Sequence, residues 1–314
     1  MPATPQIARA SEASFEELTT AFLRGFEGYQ IALPMTPHAL EQRAIYQDMV
    51  LEASFVLRGE DGPAGVALMG IRDERAWCGE LGVATAYRNQ GFGRVLMERL
   101  IDEARAHHLS QMWLEVLTHN TPAFQLYQSL GFRIERELTT YSGPLAGEVA
   151  RHAFTGPLIL PDLGEMGEAG EEALTAERLP VPVDVNLALA QMDALQVDRP
   201  SWEFERPSLE RWAAAGRLHA LAILAEESDN ELDAYLLFSV TEQMVQLLGS
   251  GARPGADAAG GLELAMALLS TLAHQHAGAI FQALEVPPGD LRGPVLEAAG
   301  CTPLHHFFEM VLAL

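Results

Sequence analysis

The chain is poor in positive charge. Across 314 residues, 20 Lys and Arg stand against 43 Asp and Glu, a formal net charge of −23. Sequence-independent binding to nucleic acid works by neutralising phosphates with cations, so a nucleic-acid partner is excluded. An acidic field favours a cationic substrate, although it more often serves solubility alone. Cysteine is scarce as well. Cys78 and Cys301 are the only two, one in each half. They cannot form a disulfide framework, they fit a reducing cytosol, and their apolar, strand-like neighbours read as burial of inert thiols. No apolar run approaches the roughly 18 residues that span a bilayer. The opening MPATPQIARASEASFEEL lacks the charged-then-apolar layout of a secretion signal. A cytoplasmic protein without a membrane partner is expected. His107-His108 and His305-His306 have no companions at metal-ligand spacing, so no metal is expected either. A homo-oligomer is neither indicated nor excluded.

Apolar residues make up 48% of the chain, a globular composition, and the length points to two domains. Strand-like segments occupy Ser54–Leu57, Ala64–Ile71 and Ala76–Val83, the first two parted by the turn cluster Arg58-Gly59-Glu60-Asp61-Gly62-Pro63. After the glycine-bearing loop Arg88-Asn89-Gln90-Gly91-Phe92-Gly93, Met97, Leu100, Ile101 and Ala104 recur at helical spacing over about Arg94–His107. Met112–Leu117 reads as a strand. Thr121-Pro122 reads as a capping hydroxyl and a first-turn proline, with Gly131 as the stop. Phe132–Tyr141 is expected to close this unit as its last strand.

The same order returns later, with strands at His219–Ala225, Ala234–Val240 and Met244–Leu248. A helix at Leu262–His274, a strand at Ile280–Val286, a short helix at Asp290–Ala299 and a final strand at His305–Leu314 follow. Leu114-Glu115-Val116 rhymes with Leu284-Glu285-Val286 at 170 residues; Gly131-Phe132 with Gly300-Cys301, and Leu40-Glu41 with Leu209-Glu210, at 169. One nearly constant offset reads as an internal duplication. Domains are expected at 1–146 and 176–314, joined by an acidic Gly/Glu/Pro linker over 147–175.

A strand ending at Val83, the loop Arg88-x-x-Gly91-x-Gly93 and then a long amphipathic helix suit a pyrophosphate. Unpaired N–H groups and the positive dipole end of a helix meet the phosphate oxygens, and glycine lets the backbone approach. Arg88 and Arg94 are candidates to add side-chain charge. By itself the loop also fits a plain turn before a helix. The stretches ELGVATAYRNQGFGRVLMERLIDEA and LEVLTHNTPAFQLYQSLGF, about Glu80 to Phe132, resemble two successive motifs of the GNAT superfamily of N-acetyltransferases.

That resemblance implies an α/β fold of two tandem GNAT-like domains, each a mixed twisted sheet with helices on both faces, and acetyl-coenzyme A as cosubstrate. Backbone groups of Leu81 and Val83 would hold the pantetheine arm. The backbone of Arg88, Asn89, Gln90, Gly91, Phe92, Gly93 and Arg94 would cradle the pyrophosphate. Asn120 would bind pantetheine, or is a turn residue only. Tyr127 would protonate the departing sulfur, or is core packing. The familiar glutamate six residues before the valine is replaced by Trp77. Glu80 is the nearest acid, expected on the opposite sheet face unless the strand is bulged, and Glu74 or a water chain is equally admissible as base. Phe26 and Tyr29, in the segment running to Pro37, are the candidate acceptor wall.

The second half has no Arg/Gln-x-x-Gly-x-Gly, carries Pro287-Pro288 near the Asn120 position, and offers Val295-Leu296-Glu297 where Tyr127 would recur. It reads as a degenerate copy that has lost coenzyme binding. The expected activity is N-acetylation of a primary amine, preferably a small molecule, and a cationic one would suit the acidic field. The alternatives are a non-catalytic coenzyme-binding sensor and a protein N-terminal or lysine acetyltransferase.

Overall fold

The computed structural model describes residues 5–31, 33–145, 179–226, 228, 230–253 and 258–314. The expected linker over 147–175 lies outside them. Two compact units form, Met1–Arg136 with Phe307–Leu314, and Glu137–His306.

In the first unit the chain runs β1 (Gln6–Arg9), α1 (Phe15–Gly25), α2 (Pro37–Tyr46), β2 (Phe55–Gly59), β3 (Gly62–Arg72) and β4 (Arg75–Val83). It continues through α3 (Phe92–Ala106), β5 (Gln111–Leu117) and α4 (Thr121–Ser129) to β6 (Arg133–Pro144). β1 to β4 are antiparallel neighbours. β4 and β5 pair in parallel over Arg75–Trp77 and Gln111–Trp113. Period-2 alternation splits the strands between two cores. Ala67, Met69, Ala76, Cys78, Met112 and Leu114 join Leu96, Met97 and Leu100 of α3 and Tyr127 of α4 on one face. Val56, Val66 and Leu68 pack with Leu18, Phe22 and Leu40 of α1 and α2 on the other.

The second unit repeats this plan. It runs β7 (Val181–Pro182), α5 (Val185–Leu195), α6 (Arg206–Ala214), β8 (His219–Leu224), β9 (Leu232–Val240) and β10 (Met244–Ala252). α7 (Ala258–Gln275), β11 (Ile280–Val286), α8 (Arg292–Ala298) and β12 (Thr302–Ala313) follow. β10 and β11 again pair in parallel for three residues, Met244–Gln246 with Ile280–Gln282. Met266, Leu269 and Leu272 of α7 fill one face and Leu189, Met192 and Leu209 the other. The 170-residue offset near Leu284 reflects a register shift in β11 between Ala283 and Val286, where Glu285 takes φ 49°.

The strand expected to close the first unit does not do so. The neighbour of β5 is the end of β12, antiparallel from Phe307↔Leu117 to Ala313↔Gln111. β6 from Thr139 to Pro144 instead pairs with β11. Each unit thus takes its last strand from the other half of the sequence, unlike the consecutive split at 146. Met310 and Leu312 of β12 are buried in the α3 core of the first unit, and Tyr141 of β6 in the α7 core of the second.

Candidate active site

Beyond Trp77 and Trp113 the backbone pairing of β4 and β5 ends, so the two strands part. The N–H of Ala84 donates to Ala64 of β3 at 2.7 Å. Backbone groups alternate sides along an extended strand, so Leu81 and Val83 turn theirs away from β3, toward the gap. Immediately beyond stands the start of α3. Gly91 is its N-cap at φ 86°, and no side chain caps it. In contrast α1, α2 and α4 are capped by Ser14, Thr36 and Asn120. The first N–H groups of α3, from Phe92, Gly93 and Arg94, therefore lack intrahelical partners. A β-carbon on Gly91 would meet nothing within 4 Å, and one on Gly93 only Leu126 at 3.7 Å. Open strands leading to a bare, positive helix end form a slot that fits an extended arm ending in a pyrophosphate.

Several sequence-based candidates hold this loop in place through their side chains. The Arg88 guanidinium donates to the carbonyls of Val83 (2.8 Å), Gly25 (3.1 Å) and Glu27 (2.7 Å). It ties the loop to the end of α1 instead of standing free for phosphate. Arg94 bonds Ser129 of α4 and lies 3.5 Å from Glu98. Asn89 takes φ 59°, and Gln90 donates to the Ala86 carbonyl at 2.8 Å. Asn120, not Thr121, caps α4, its Oδ1 accepting from Ala123 at 3.4 Å.

The other candidates gather around the gap. Phe26 and Tyr29 follow α1 and stack edge to face at 5.3 Å. Tyr127 is buried on α4. Burial above all, then the neighbouring Cys78 and Tyr29, holds its hydroxyl well above the ordinary phenol range, so it stays protonated.

The Glu80 question is settled by a bulge. Leu68 pairs with Glu80 while Met69 pairs with Cys78, leaving Gly79 as the extra residue of β4. The bulge puts Glu80 opposite Leu68, on the α1–α2 face, where its carboxylate accepts from Arg43 Nε of α2 at 2.6 Å. Trp77 shares that face. Its indole lies across Gly79, where a β-carbon would come within 2.3 Å of the ring, and its N–H donates to Glu115 on β5 at 2.6 Å. Glu115 therefore also stands on this face, across the gap from Glu80. Glu74 does not. It sits in the turn before β4, seven residues from Leu81, or roughly 23 Å at about 3.3 Å per residue.

Arg43 and Glu115 were not legible as site residues. Arg43 carries no motif, and Glu115 stood out only as part of the repeated Leu-Glu-Val. The alternation of Met112, Leu114 and Val116 against Trp113 and Glu115 was the available signal. Among the described residues no group of three or more His, Cys, Asp or Glu is placed to hold a metal ion. None of their helices is long and apolar enough to cross a membrane.

Parted strands, a bulge and a glycine-led helix start thus meet at one edge of the first α/β unit. Residues 16–132, a little over a third of the chain, match the acetyltransferase (GNAT) family. It is 37% identical over 79 residues to the ribosomal protein bS18-alanine N-acetyltransferase of Escherichia coli, covering 25% of this chain and 53% of that one. Streptothricin acetyltransferase of Streptomyces lavendulae is 38% identical over 82 residues, covering 25% and 43%. The chain thus spans about half the length of these relatives or less. A solved tandem GNAT protein from the clavulanic acid biosynthesis pathway aligns over 99% of this chain and 98% of its own, with TM-score 0.63 and 14% identity. That likeness is one of fold, and it establishes the tandem α/β architecture.

Proposed function

We propose that the N-terminal unit transfers an acetyl group from acetyl-coenzyme A to a primary amine, and that the acceptor is a small cationic molecule. The observation that carries this reading is the slot itself, the backbone of Leu81 and Val83 facing a gap that ends at the uncapped start of α3. Relatives named as a ribosomal-protein alanine N-acetyltransferase and as streptothricin acetyltransferase support acetyl transfer to an amine. A positively charged acceptor is favoured by Glu80 and Glu115 on the acceptor side and by the net charge of −23. The second unit, in this reading, binds no coenzyme.

In the reaction the neutral amine nitrogen attacks the thioester carbonyl carbon. The C–N bond forms, the C–S bond breaks, and its electron pair leaves on sulfur. A backbone N–H of Leu81 or Val83 polarises the carbonyl oxygen. The proton lost by the amine passes to the carboxylate side, with Glu80 as the candidate base, directly or through water. The Glu80 carboxylate is already engaged by the Arg43 guanidinium, so Glu115 is tested beside it. Tyr127 gives its proton to the thiolate and regains one from solvent.

The test is a panel of amines with acetyl-coenzyme A, reading free thiol and acetylated product. The chain contains no lysine, so label cannot be diverted to its own lysine side chains. Amine-dependent thiol release, steepest for small cationic amines, is expected. Coenzyme binding without turnover on any small amine or peptide would replace this reading with a sensor. Turnover on peptide N-termini alone would move the acceptor to proteins.

A further inference from the structure

The second unit contains a buried ionic cluster that the reaction does not use. Arg292, the first residue of α8, is 0% exposed, and Asp290 just before it is 8% exposed. The guanidinium donates to both Asp290 oxygens at 2.8–3.1 Å and to the Leu247 carbonyl of β10 at 3.1 Å. Asp290 also accepts from Ser250 Oγ of β10 at 2.9 Å and from the Arg292 N–H at 2.9 Å. These bonds join β10 to the β11–α8 turn just beyond Gln246 and Gln282, where the parallel backbone pairing stops. A cavity of about 10 Å³ beside the cluster, lined by Leu195, Asp198, Ser250, Gly251 and Gly289 among others, has room for roughly one water.

The two units can be matched residue by residue. The parallel pairs begin at Arg75↔Gln111 and at Met244↔Ile280, 169 residues apart on both strands. The bulged residues Gly79 and Leu248 keep that offset. So do the terminal bonds of the following helices, Phe132 N–H to Tyr127 O and Cys301 N–H to Leu296 O. By this register Leu247 corresponds to Cys78, Ser250 to Leu81, Asp290 to Thr121 and Arg292 to Ala123.

We infer that Arg292 closes the strand gap of the second unit from within, and that Ala123, its counterpart, is the residue whose small side chain keeps the gap of the first unit open for the acyl-pantetheine arm. A guanidinium at this position reaches the first carbonyl beyond the paired segment and fills the space between the strands. A methyl group cannot. Access to the slot is thus governed by side-chain size at one position of the helix after β5, in addition to the glycines of the phosphate loop.

The inference about Ala123 rests on the reading that the first unit binds acetyl-coenzyme A, and a paired experiment separates the two. In the full chain, Thr121→Asp with Ala123→Arg transplants the cluster. Calorimetry with acetyl-coenzyme A should show affinity at least about tenfold weaker, with circular dichroism and melting still those of a folded chain, while Ala123→Ser keeps wild-type affinity. Unchanged affinity in the double variant overturns the inference. Failure of the wild-type chain to bind overturns the functional reading instead. The second arm needs no ligand. Ser250→Cys is labelled by a thiol reagent alone and together with Asp290→Thr and Arg292→Ala, which restores the residues of the first unit. Labelling at least about tenfold faster in the triple variant is expected, since accessibility controls thiol reaction. Equal rates would show that Arg292 closes nothing.

Discussion

Gly25 at the end of α1 and Gly82 on β4 meet backbone to backbone. A β-carbon on Gly25 would stand 2.8 Å from the Gly82 carbonyl carbon, and one on Gly82 would stand 3.0 Å from that of Gly25 and from the Phe26 ring. This contact lets α1 end directly over the open part of β4, and so brings the Phe26 ring to Gly82, between Leu81 and Val83. Gly82→Ala should therefore push α1 away. Overpacking of this kind costs about 1–3 kcal/mol, and KM should rise for both acetyl-coenzyme A and acceptor. Thermal melting and two-substrate kinetics check it; a variant with native melting and native KM values would separate the glycines from the site.

Arg43 and Glu80 form the ion pair behind the acceptor side, with Glu80 almost fully buried and the Arg43 side chain 31% exposed. Arg43→Ala leaves the carboxylate without its guanidinium, and about 3 kcal/mol of stability should be lost, at the lower end for a broken buried pair because water reaches the arginine. Glu80→Gln removes the charge and keeps the shape. If Glu80 is the base, kcat falls by about 10²-fold or more with coenzyme affinity unchanged. If Glu115→Gln shows that loss and Glu80→Gln does not, the base is Glu115.

Tyr127→Phe keeps the ring and deletes the hydroxyl. A fall in kcat of about 10²–10⁴-fold with unchanged coenzyme affinity is expected of a lost general acid. The phenol is held well above its ordinary value of 10.0 by burial, so no limb of the rate profile below about pH 10 should belong to it. In the folded state this proton is kept to higher pH than in the unfolded chain. Its contribution to stability is complete below about pH 10 and declines as pH rises further. Denaturant melts from pH 8 to 11 should accordingly show a shallower alkaline loss in Tyr127→Phe. Native kcat in that variant, with chemistry rate-limiting, would make Tyr127 a packing residue.

Both cysteines should be silent toward thiol reagents. Burial, and then the carboxylates of Glu80 and Glu115, push the Cys78 thiol far up. Burial pushes Cys301 up to about 11. At pH 8 the native chain should release no rapid colour with a disulfide reagent and two equivalents after unfolding. Fast native labelling of Cys78 would mean that the strand gap admits solvent to its α3 side.

Much of this was legible in the chain because local periods decide it. The alternation in Ala64–Ile71 and Ala76–Val83, the helical recurrence of Met97, Leu100 and Ala104, and the glycines of the loop all place their elements within a few residues. The exchange of final strands was not. β6 and β12 both read as closing strands, and each turns an apolar residue at the same register into a core, Tyr141 in one and Met310 in the other, so nothing local decides which lies beside β5. The bulge had a visible sign in Gly79, a strand glycine, yet nothing local shows that the Trp77 ring requires it. The role of Arg88 also depended on a distant partner, since the carbonyls of Gly25 and Glu27 that it binds lie more than 60 residues away.

Counting coenzyme sites tests the central claim most directly. Calorimetric titration of the full chain with acetyl-coenzyme A should give one site per chain. Gly91→Glu should abolish it by placing bulk and negative charge at the open start of α3. Gly91→Ala carries the same strain at φ 86° without the charge; that strain is present with and without ligand, so it should cost about 1–2 kcal/mol of stability and leave coenzyme affinity close to native. Two equivalent sites, or native affinity in Gly91→Glu, would contradict the account.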